Sequence, residues 1–201
     1  ATVISQCISA GLVLLCLVKS DAPYRVDLKR LRVHPKKLRG MVKIGLPAGI
    51  QGCSFAISNV LIQSSINSFG AVAMAGNTAA SNIEGFVSTA MDAFSQAALS
   101  FSGQNLGAGK TGRVKKILAL CLALVTATGL ALGVGAFLLG NQLLGIYSTE
   151  AEVIAFGMKR MAICCVLQFI GGWMGVLVGT LRGMGYSFIP MGITIGFVCG
   201  F

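Results

Sequence analysis

Six long apolar runs organise the sequence, at about residues 1–18, 43–67, 72–102, 114–140, 152–180 and 187–201. A helix needs roughly 20 predominantly apolar residues to cross the hydrocarbon core of a bilayer, whereas a buried strand ends within about 4–8 residues. Runs of this length therefore predict membrane-spanning helices. The third is long enough to include an extramembrane turn, and the sixth stops with the sequence. Composition agrees: of 201 residues, 55% are hydrophobic and only 11% charged, with a mean hydropathy of +0.81. A soluble domain usually carries about twice that charged fraction. The expected fold class is an all-α, polytopic helical membrane protein of the cell membrane, the plasma membrane of a prokaryote. Ala1 is not an initiator methionine, and a signal peptide fits poorly because no basic segment precedes the first run. Both ends fall within apolar runs, so the chain is expected to be a piece of a longer membrane protein.

The net charge of +10 is explained by its placement. Nine lysines and arginines lie between residues 19 and 43, four more (Lys110, Arg113, Lys115, Lys116) separate the third and fourth runs, and Arg182 separates the fifth and sixth. The alternate connections, "NSFGAVAMAG" and "NQLLGIYSTEAE", have none. This alternation follows the positive-inside rule and puts the basic loops in the cytoplasm. Topology thus accounts for the basic residues without nucleic acid, although the first loop also suits contact with anionic lipid. Lys159 and Arg160 break the pattern inside the fifth run, where they are expected to snorkel or to face an aqueous path.

The segment "SFSGQNLGAGKTGR" resembles a phosphate loop at first sight. A P-loop needs G-x-x-x-x-G-K-[ST] after a strand. The first glycine would have to stand where Gln104 is, and Gly103 lies one residue too early. The segment instead joins two membrane runs, so no nucleotide is expected, and Gly107, Gly109 and Gly112 are read as the residues that let the chain turn. All seven cysteines lie in apolar runs without a C-x-x-C pair, and His34, the one histidine, is remote from them. They read as small packing side chains, and no metal site is expected.

Only two carboxylates fall at membrane depth, Glu84 and Asp92, both in the third run. At about 100° per residue, Asn77, Ser81, Glu84, Ser88, Asp92, Ser95 and Ser102 share one stripe of that helix. The second run has a stripe of Gln51, Ser54, Ser58 and Ser65, with Asn59 at its edge and Gln63 beyond it. Facing polar stripes imply an internal cavity, the reading favoured for Glu84, whereas for the individual serines interhelical hydrogen bonding is favoured. Ionisable groups in the bilayer are expensive and mark function. Glu84 is accordingly expected to carry a proton or help to hold a cation, with Asp92 an outlying, wetter carboxylate two turns nearer the cytoplasm. Gln51, Ser54, Ser58, Asn59, Asn77, Glu84, Ser88 and Asp92 are the binding candidates. Pro47 and Pro190 read as early-turn prolines, and "GGWMGVLVGTLRGMG" permits close helix approach.

The succession of "GLPAGIQ", "ASNIEGFVSTAMDAFSQAALSFSGQNLGAGK" and "GTLRGMGYSFIP" resembles the multidrug and toxic compound extrusion (MATE) family over nearly the whole chain. Gly103, Gln104, Gly107 and Gly109 belong to its most specific element. The resemblance implies twelve helices in two six-helix lobes that export organic cations or drugs in exchange for protons or sodium. Residues 1–18 would be the last helix of the N-terminal lobe, 19–43 a basic cytoplasmic interlobe loop, and 44–201 an incomplete C-terminal lobe. The substrate cavity would lie against the N-terminal lobe, which this chain lacks. Some members carry a coupling carboxylate in the helix that begins G-x-P; here that region reads "QGCSFAISN", without an acid. No cofactor is implied beyond the coupling ion, H+ or Na+. No catalytic constellation is present, so an enzyme is not expected. A lipid-linked precursor flippase of related fold is the alternative, and it requires Lys159, Arg160 and Arg182 to face inward. A structural subunit would instead pack its polar stripes dry.

Overall fold

A computed structural model describes residues 2–19 and 32–196. Seven helices occur among them and no strand: α1 (Thr2–Lys19), α2 (Pro35–Asn67), α3 (Ala71–Gly107), α4 (Thr111–Leu138), α5 (Gly140–Gly145), α6 (Ala151–Gly183) and α7 (Phe188–Thr194). The chain divides into two compact units, Ala1–Met41 and Val42–Phe201. Most of the expected interlobe loop, 20–31, and the end of the sixth run, 197–201, lie outside the described residues.

α2, α4 and α6 combine the length and the apolar composition needed to cross a membrane. α3 is longer still, at 37 residues, or about 55 Å at 1.5 Å per residue. Its polar stripe dilutes its hydropathy, and packing compensates: α3 lies against α4 and α6 and buries Ala79, Ala80, Ile83, Val87, Met91 and Ala98. Leu144, Met161 and Cys165 close one end of this core, and Cys121, Val125 and Val176 the other. α3 and α6 run parallel, with Gly76 beside Val153 and Gly103 beside Gly183. α4 runs antiparallel to both, placing Gly133 at Cys165 and Gly129 at Phe169. The Trp173 indole donates to Thr126 Oγ1 at 2.6 Å, tying α6 to α4.

Glycine sets the closeness of α3 and α6. A methyl group at Gly179 would stand 2.5 Å from the Ser95 carbonyl oxygen, so only glycine permits this contact. α2 is different: it buries Pro47 and Gln51 alone, and presents Ile57, Val60, Leu61 and Ile62 outwards. A bilayer solvates such a surface without further protein cover.

Several sequence expectations change. α2 begins at Pro35, so residues 35–43 of the expected loop are helical. Proline suits a first helical position, and Lys36, Lys37, Leu38 and Arg39 are good helix formers; hydropathy is blind to such a polar helical start. Pro47 is consequently interior, not early-turn, and removes the bond that the Lys43 carbonyl would otherwise accept. Gly103, Gln104 and Gly107 form the last turns of α3, and Gly112 the first turn of α4. Only residues 108–110 make the connection, where Gly109 supplies the left-handed φ of 71°. α5 is a short helix at the start of "NQLLGIYSTEAE", which the sequence reads only as a connection between the fourth and fifth runs.

Candidate functional site

The polar residues of the second unit form a seam where α6 faces α3 and α2. Its centre is a two-pronged ion pair. Arg160 donates through Nε to Glu84 Oε1 at 2.9 Å and through Nη2 to Oε2 at 2.8 Å. Its remaining nitrogen, Nη1, donates to Asn77 Oδ1. Asn77 in turn donates to Gln63 of α2 at 3.4 Å, and Gln63 to Asn67 at 3.2 Å. Glu84 is only 9% exposed. A parallel-fork guanidinium–carboxylate pair is among the strongest side-chain contacts, and it gives the buried Glu84 carboxylate a matching charge.

About one turn further along α3, Gln168 of α6 donates to Ser88. A cavity of about 200 Å³ adjoins this bond, lined by Ser88, Met91, Asp92, Gln168, Gly171 and Gly172. Asp92 is exposed and has no salt-bridge partner among the described residues. Beyond, at the end of α6, Arg182 donates to the Gln51 amide oxygen. The Gln51 amide nitrogen donates to Thr194 Oγ1 of α7 at 2.6 Å. Arg182 Nε, Ser102 Oγ and Ser187 Oγ are buried there without hydrogen-bond partners among the described residues.

The binding candidates thus separate. Asn77 and Glu84 join one network, Ser88 and Asp92 line the cavity, and Gln51 belongs to the Arg182 cluster. Ser54 bonds back to the Ile50 carbonyl at 3.1 Å, the usual local satisfaction of a helical hydroxyl. Ser58 is half-buried and Asn59 exposed. Lys159 is exposed, while its neighbour Arg160 turns inward. Gln63, which lies beyond the α2 stripe, is the α2 residue that reaches Asn77. Arg160, Gln168 and Arg182 were not among the candidates, yet at 100° per residue they fall within about 80° of one another on α6. That shared face was the available signal. Among the described residues no cluster of His, Cys, Asp and Glu could hold a metal ion. Cys121 and Cys165 are buried thiols, and Cys7, Cys16 and Cys53 are exposed. Larger than the Asp92 cavity is a groove of about 650 Å³ between α3, α4 and α5, walled by residues such as Ile83, Phe86, Leu132, Leu139 and Tyr147. It carries no charged side chain, and acyl chains suffice to fill it.

Known proteins resemble the chain in sequence. The chain is 23% identical along its whole length to "Probable multidrug resistance protein YoeA" of Bacillus subtilis, covering 44% of that protein. It is 24% identical over 96% of its length to "Probable multidrug resistance protein NorM" of Thermotoga maritima, covering 42% of it. A protein of the same name from Mannheimia succiniciproducens is 30% identical over 75% of the chain, with 32% of that protein covered. The chain spans less than half the length of these relatives. The family model MatE matches residues 47–201, most of the chain. On this match the chain belongs to the multidrug and toxic compound extrusion (MatE) family of polytopic membrane proteins.

Proposed function

We propose that the chain forms part of a secondary active antiporter that exports organic cations or drugs in exchange for protons or sodium, by alternating access of two lobes. The carrying observation is the Glu84–Arg160–Asn77–Gln63 network, which joins three helices of a membrane bundle through polar groups where apolar packing would serve stability better. Such a network has a second arrangement available to it. A proton or sodium ion that reaches Glu84 competes with Arg160, and release of Arg160 also releases Asn77 and, through it, α2. Ion binding is thereby coupled to helix position. The names of the relatives support drug export as the transported class. The test is Glu84→Gln in the full-length protein reconstituted in liposomes, with drug export driven by a pH or a sodium gradient. Loss of dependence on the gradient is expected. Export that stays fully gradient-dependent removes Glu84 from the coupling role.

A second reading, a flippase for an anionic lipid-linked precursor, draws on Arg182. Its guanidinium is turned into the protein with Nε unpartnered among the described residues, whereas the charge of Arg160 is already matched by Glu84. Arg182→Gln distinguishes the readings: the flippase loses anionic substrate transport, and the antiporter keeps its selectivity for cations.

A further inference from the structure

Resting on the cation-export reading, we infer that Asp92, not Glu84, holds the positively charged head of the exported compound, in the cavity between α3 and α6. The two carboxylates face different surroundings. Both oxygens of Glu84 are occupied by Arg160, so a cationic substrate meets no net charge there. Asp92 has no basic partner among the described residues and borders a cavity of about 200 Å³. Gln168 commits its amide nitrogen to Ser88, and its amide oxygen accepts no hydrogen bond from a described side chain. A carboxylate and a spare amide oxygen therefore border one hollow.

Size and lining select the type of cation. At about 30 Å³ per water molecule, the space corresponds to about seven waters. A small hard cation requires six or more oxygens closing tightly around it, and the side chains of Asp92, Gln168 and Ser88 in so roomy a space supply too few for that cage. An alkylated ammonium spreads its charge over a shell of carbon. The Met91 thioether and the bare backbone of Gly171 and Gly172 suit such a shell. Gly171 supplies an independent handle: a Cβ there meets no atom within 4 Å, so a side chain can start from this position without a clash at its Cβ.

The test is equilibrium binding of radiolabelled tetraethylammonium to the full-length protein in detergent, with sodium as competitor. Asp92→Asn is expected to weaken binding at least tenfold and Asp92→Glu to recover most of it. Gly171→Leu is expected to weaken tetraethylammonium more than the smaller tetramethylammonium, a size dependence that a loss of folding would not produce. Wild-type affinity in Asp92→Asn overturns the site while the export reading stands. Absence of binding to the wild type overturns both. If Asp92→Asn abolishes sodium competition and leaves tetraethylammonium affinity intact, Asp92 belongs to the coupling ion and the assignment fails.

Discussion

Glu84 and Asp92 lie eight residues apart on the same helix, about 12 Å along its axis, yet the neighbouring helix treats them oppositely. α6 sets Arg160 against Glu84 and only Gln168 and Gly171–Gly172 near Asp92. The first carboxylate is thereby an internal fastening and the second an open charge. A carboxylate in a membrane bundle takes its role from what the facing helix supplies, and depth alone does not decide it.

The largest effect expected from breaking this contrast is at the fastening. Arg160→Leu leaves a buried carboxylate unpaired, and the loss should approach about 3 kcal/mol, read as a lowered thermal midpoint or loss of monodisperse protein in detergent. Gln168→Leu strips Ser88 of its partner; interhelical hydrogen bonds in membranes contribute about 0.6 kcal/mol on average, so thermal stability should fall by that order. Gly171→Ala adds a methyl in open space within a helix and should raise stability by about 0.5–1 kcal/mol while narrowing the Asp92 cavity. Asp92→Asn should change stability least, by under about 0.5 kcal/mol, as befits an exposed group without a salt-bridge partner among the described residues. A large destabilisation by Asp92→Asn would erase the contrast.

Much of the fold was legible because apolar runs of membrane length allow few alternatives. Boundaries were less so. Residues 35–43 are helical through Lys, Leu and Arg, which hydropathy does not register, and this displaced the start of α2 and the role of Pro47. In the signature segment, glycines at 107 and 112 suggested a loop, yet both are helical and only Gly109 needs a left-handed backbone. At the site, the α3 stripe could be read from helical periodicity, but its partners could not. Pairing Glu84 with Arg160 requires the register of α3 against α6, and glycine contacts such as Ser95 against Gly179 set that register. Sequence separation of 76 residues hides it. Counting Arg182 towards orientation likewise obscured its bond to Gln51.

The central claim, that Arg160 rather than a transported cation satisfies Glu84, is most directly tested by a double-mutant cycle of Glu84→Gln and Arg160→Gln, read by thermal unfolding in detergent. Each single change should destabilise the protein, and the double variant should recover part of the loss, giving a coupling of about 2–3 kcal/mol. Additivity of the two changes would contradict the account, because the charges would then be satisfied independently.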